Sequence, residues 1–155
     1  MSRILFVTSS YPLDSASPSG IFIARLVEKL SIHHKITVLT PGDTIKRPIT
    51  RNGNITIIPF KYAPRKLQIL AHSPGGIPAA IKRNPYLYLL LPFFISGMFF
   101  YCLRYGKHND IFHANWAICG LIAGLAGVII NKPVITTLRG EDFTRAKKIS
   151  LIALF

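Results

Sequence analysis

Short apolar runs separated by stretches of helical periodicity constrain this chain most. Residues 4–8 (Ile-Leu-Phe-Val-Thr), 35–40 (Lys-Ile-Thr-Val-Leu-Thr), 55–58 (Ile-Thr-Ile-Ile), 110–113 (Asp-Ile-Phe-His) and 133–137 (Pro-Val-Ile-Thr-Thr) each read as a strand. The first has no polar alternation, as expected of a strand buried on both faces in a parallel sheet. Between the first two, Ile21, Phe22, Leu26, Val27 and Leu30 recur at helical spacing, with Arg25, Glu28 and Lys29 on the other side. Residues 118–130 form an apolar, glycine-spotted helix, and residues 143–155 read as a further amphipathic helix. Helices alternating with strands predict an α/β fold. We expect a doubly wound, mostly parallel Rossmann-like sheet with helices on both faces. Residues 61–83, basic and carrying Pro64, Pro74, Gly75, Gly76 and Pro78, read as a long surface excursion with a short helix.

Ligands of such sheets bind at the carboxyl ends of the strands. That rule selects three loops. Residues 9–20 end in Ser19 and Gly20 where a helix begins, and free N–H groups there favour an anion. Residues 113–120 carry His113, Asn115 and Trp116, and residues 137–142 carry Arg139, Gly140 and Asp142. Each residue alone is ordinary turn or helix-start chemistry. Three polar strand tips on one edge suit a hydroxyl-rich, negatively charged ligand. No G-x-G-x-x-G and no G-x-x-x-x-G-K-[ST] occurs, which removes the main support for a nicotinamide cofactor and for a P-loop ATPase. No carboxylate cluster implies a metal site, and no cofactor is expected.

The order of motifs resembles the N-terminal domain of family-four retaining glycosyltransferases, which have two Rossmann-like domains facing a cleft (the GT-B architecture). The similarity runs from Ile4 to about Phe143 and is most specific in Asp-Ile-x-His-Ala-x-Trp (110–116) and Pro-Val-Ile-Thr-Thr-x-Arg-Gly-x-Asp (133–142). It implies residues 1–143 as a Rossmann-like acceptor-side domain and 144–155 as the start of a helix. The Ser19–Gly20 loop would approach the donor diphosphate or the acceptor. The loop of His113, Asn115 and Trp116 would face the donor sugar, with Asn115 and His113 as catalytic candidates, and that of Arg139, Gly140 and Asp142 would line the acceptor cleft. The family often has Gly-Gly where Ser19 and Gly20 stand, usually a second His at position 115, and in many relatives His at position 139. Asn115 still hydrogen-bonds a sugar hydroxyl but does not titrate, and Arg139 supplies a permanent cation. The implied partners are a nucleotide-sugar donor, a glycan or lipid-linked acceptor, and a C-terminal donor-binding domain. Without that domain, the 155 residues are expected to be inactive.

Charge adds a second theme. Nineteen Lys and Arg against six Asp and Glu give a net charge of +13, so polyanions attract the chain. Residues 86–103 carry no charge and are long enough to score as a membrane span, but Pro92 and Gly97 interrupt them and basic residues flank both ends. Three readings stay open: a helix packed in the domain, one also resting on an anionic membrane surface, and a true span. Two competing functions also remain, a small membrane protein and a basic nucleic-acid-binding module built on Lys61, Tyr62, Arg65 and Lys66, although no nucleic-acid partner is expected. Cys102 and Cys119 sit in apolar surroundings and read as buried thiols. The expected location is cytoplasmic, including peripheral attachment at the inner face of the membrane.

Overall fold

The computed structural model describes residues 1–12, 20–45, 48–72 and 75–138. Six strands form one sheet: β1 (Arg3–Val7), β2 (Lys35–Pro41), β3 (Thr50–Asn52), β4 (Ile55–Phe60), β5 (Ile111–Asn115) and β6 (Val134–Thr137). Their order is β3-β4-β2-β1-β5-β6, with every pairing parallel except β3 with β4. The helices are α1 (Ile21–Ser31), α2 (Gly76–Arg83), α3 (Leu91–Gly106) and α4 (Ala117–Ile130). The expected doubly wound, mostly parallel sheet is therefore observed. β3 is an addition at the antiparallel edge, all three of its residues exposed.

Alternation along the strands sends side chains to two cores. Phe6, Ile36 and Val38 meet Ile23 and Val27 of α1 on one face. Leu5, Val7, Leu39, Ile58, Phe60 and Phe112 meet α2, α3 and α4 on the other. Phe94, Met98 and Cys102 bring α3 onto that face, where Phe94 lies 5.5 Å from the Phe60 ring and 5.3 Å from Tyr62. Residues 86–103 therefore divide between a 3₁₀ turn over Pro85–Leu90, in which Pro85 and the Asn84 side chain set the start, and α3, which packs one face on the sheet. Glycines bring α4 close to β6: a Cβ on Gly120 would collide with the Thr136 side chain, and one on Gly127 with Val134.

Cys102 and Cys119 are both buried thiols, and burial pushes the Cys102 thiol up. Tyr62 is also buried, which pushes its hydroxyl up to about 12 against the opposite pull of the Leu70 N–H it accepts at 3.0 Å. The basic-aromatic patch around Lys61 therefore lacks the exposed ring that base stacking at that position would need.

At the amino-terminal edge, the Arg3 N–H and guanidinium both donate to Asp110, at 2.8 and 3.1 Å. Those two bonds, the backbone one first, hold its carboxyl below the usual range. The pair is solvent-exposed and fixes the register of β1 and β5 more than it stabilises them.

Candidate functional site

β1 leads through α1 to β2 on one side, whereas the crossover through α2 and α3 arrives at β5 on the other. The order reverses between β1 and β5. Carboxyl ends at such a switch point splay apart and leave a crevice for a ligand.

The β1 tip is held by its own side chain. Thr8 is fully buried; its hydroxyl donates to the Ser10 carbonyl at 3.0 Å and accepts the Ser10 N–H at 3.2 Å. Gly20, just before α1, lies directly against that backbone, where an added Cβ would sit 2.6 Å from the Ser10 oxygen and 2.9 Å from the Tyr11 Cα. Its φ of +78° also favours glycine. The Gly20 carbonyl accepts the N–H groups of Ile23 and Ala24 and so starts α1 at the crevice. Among the described residues no acidic side chain stands in the first turn of α1, whose positive end favours a negatively charged group. Tyr11 is pushed up to about 12, by burial first and by the charge of Glu28 second, so its phenol is neutral at physiological pH.

The β5 tip closes onto α1. Asn115 is the last strand residue and fully buried. Trp116 follows at φ +79° and ψ 148°, a strained conformation for a bulky residue, and serves as the N-cap of α4. Its ring lies edge-on to Phe22 of α1, with centroids 6.3 Å apart. The Trp116 indole N–H is buried with no hydrogen-bond partner among the described residues. Strain and an unmet donor cost stability, and both sit where the switch point predicts a ligand.

β6 supplies the third wall. The Trp116 N–H donates to the Thr137 carbonyl at 3.1 Å, and His113 Nε2 is 2.9 Å from the Thr137 hydroxyl. His113 also packs on Phe6, ring centroids 4.4 Å apart. It thus lies along the sheet face, whereas Asn115 and Trp116 occupy the tip. Gly20, Asn115, Trp116 and Thr137 are brought to one edge. Ser19, Arg139, Gly140 and Asp142 lie outside the described residues, as does the helix expected from residue 143. Thr8 and Phe22 are additional contributors; Thr8 closes the first strand in the sequence, but its hydroxyl pairing with Ser10 has no sequence signature.

A groove of about 390 Å³ opens at the opposite, amino-terminal edge, lined by Arg3, Lys35, Arg51, His108 and Asn109 among others. It lies away from the switch point and touches none of the three loops. Among the described residues no cluster of three His, Cys, Asp or Glu could hold a metal ion.

No protein-family model matches the chain, and no curated protein matches it. Solved structures do. One structure of sucrose-phosphate synthase from Thermosynechococcus elongatus superposes with a TM-score of 0.58 at 18% identity, covering 92% of this chain and 66% of that one. A second structure of the same synthase gives a TM-score of 0.57 at 17% identity, covering 89% and 33%. The chain therefore spans about two thirds of the first and one third of the second. At these identities the likeness is one of fold: a mostly parallel, Rossmann-like α/β half of the GT-B architecture.

Proposed function

We propose that this chain is the acceptor-side half of a glycosyltransferase that moves a sugar from a nucleotide-sugar donor to a glycan or lipid-linked acceptor, completed by a C-terminal donor-binding domain. The observation that carries the reading is the convergence of Gly20, Trp116 and Thr137 at the β1–β5 switch point, with α1 and α4 starting there. Transfer from a nucleotide sugar releases a diphosphate, and two helix starts supply positive ends for developing negative charge. Arg139, next to the β6 tip in sequence, would add a permanent cation, and Gly140 and Asp142 would line the acceptor side. Asn115 would orient a sugar hydroxyl by accepting or donating, and His113 would hold Thr137 in place. No cofactor or metal is part of this reading.

Titrating UDP-glucose while following backbone amide resonances tests it. Shifts are expected at Gly20, Ile21, Ala117, Ile118 and Leu138, with millimolar affinity for a single half-site (about −4 kcal/mol). Shifts confined to Lys35, Arg51 and His108 would place the ligand at the wrong edge and overturn the proposal.

A further inference from the structure

We propose that the outer face of the Pro85–Leu90 turn and α3 docks this protein on an anionic lipid bilayer. Tyr86, Tyr88, Leu89, Phe93 and Phe100 are 82, 61, 72, 62 and 64% exposed. Single exposed apolar residues are ordinary, but five large ones on one continuous segment make a patch. The opposite face of α3 carries Phe94, Met98 and Cys102, all fully buried against the sheet. The helix thus lies flat on the domain, one face committed to the core and the other turned outward. α4 packs beside it in the same layer and adds Leu121, Leu125 and Val128, 61, 56 and 83% exposed.

Charge selects the occupant. From Thr44 to Asn109 the sequence contains no Asp or Glu, yet it holds ten of the nineteen Lys and Arg. Lys82 and Arg83 precede the apolar segment, Arg104 and Lys107 close it, and all four are exposed. A neutral apolar partner has no use for cations at both ends, and a protein partner with mixed charges would leave some of them unmatched. A bilayer with acidic headgroups matches both features, because apolar side chains enter the acyl boundary while Lys and Arg stay with the phosphates. Tyr86 and Tyr88 suit the headgroup level, where a ring with a polar tip is favoured. Beside them a shallow groove of about 530 Å³ between α2 and the turn is lined by Ile77, Pro78, Ile81 and Leu91, with Lys82 also on its wall. It offers an apolar slot for part of a lipid beside a cation for its phosphate.

A span across the membrane is a different arrangement. The segment Pro85–Gly106 has the length and hydropathy for one. However, α3 alone has 16 residues, about 24 Å of helix against about 30 Å of hydrocarbon, and inserting it would strip the sheet of its core. Because α3 runs from the carboxyl edge of the sheet, a bilayer here lies alongside the strand-tip crevice. The docking proposal does not depend on the transferase reading and is tested without it.

Flotation of the full chain with phosphatidylcholine vesicles, with and without phosphatidylglycerol, decides. Binding is expected only with phosphatidylglycerol, and it should weaken as salt rises. The double variant Lys82→Gln, Arg83→Gln should weaken it about thirtyfold, at about 1 kcal/mol per cation removed. Leu89→Ser with Phe93→Ser should weaken it at least tenfold, with an unchanged melting temperature because both residues are exposed. No flotation, binding insensitive to both double variants, retention after carbonate extraction, or self-association through this face without lipid binding would each overturn the proposal.

Discussion

Replacing Phe94 with Ala is expected to destabilise the protein by about 3–5 kcal/mol, enough to unfold much of a marginally stable domain. The ring is fully buried and packs against both the Phe60 and Tyr62 rings, so its removal opens a cavity between α3 and the sheet. The loss falls on the contact that holds α3 to the sheet. Phe93, the adjacent residue, is 62% exposed, so Phe93→Ala should cost no more than about 0.5 kcal/mol. Denaturant midpoints of the two variants measure the contrast. Equal, small losses would mean that α3 does not pack on the sheet.

Gly20→Ala is expected to cost about 2–4 kcal/mol. The left-handed φ alone accounts for about 1–2 kcal/mol in a residue with a Cβ. The remainder is steric: the new Cβ meets the Ser10 carbonyl and the Tyr11 Cα, backbone that Thr8 anchors and that cannot swing aside. Gly53 provides the comparison, with a φ of +54° and nothing within 4 Å of its added Cβ. Gly53→Ala should show only the conformational part. Thermal melts of both variants separate the two contributions, and equal losses would mean that the α1 start is not seated against the β1 tip.

Much of the fold was legible because its strands are runs of apolar residues and its helices repeat at helical spacing. The five expected strands occupy the positions of β1, β2, β4, β5 and β6. β3 carried no such signal, since Thr50, Arg51 and Asn52 are polar and fully outward. Its trace was Gly53-Asn54, a glycine-led pair that suits a two-residue hairpin loop, and Asn52 indeed pairs with Ile55 across that turn. The break at Leu90 was legible only through Pro92, which stands in the first turn of α3 where a proline is tolerated. Residues 86–103 carry no charge, so periodicity does not separate the 3₁₀ turn, which buries Leu87, from α3, which buries Phe94.

The candidate site was legible as positions and less so as chemistry. The rule that ligands sit at strand carboxyl ends singled out Gly20, His113, Asn115 and Trp116 before any contact was known. It could not separate His113, which turns along the sheet to Thr137, from Asn115 and Trp116 at the tip. Both lie on one short strand, and the direction of the histidine is set by Phe6 and Thr137, far from it in sequence. Nor could it foresee the strained Trp116 backbone, since positive φ at a tryptophan has no local sequence cause.

Trp116→Gly tests whether this strand-tip edge takes part in sugar transfer. Glycine accepts the φ of +79° that Trp116 endures, so the turn is kept while the ring against Phe22 is lost. The measurement is transfer from a nucleotide sugar by the chain joined to the donor-binding domain proposed for it, alongside a thermal melt. A fall in kcat/KM of about 100-fold is expected, about 2.7 kcal/mol of transition-state stabilisation, with folding changed by no more than about 2 kcal/mol. Transfer at the unaltered rate by a folded Trp116→Gly enzyme would contradict it.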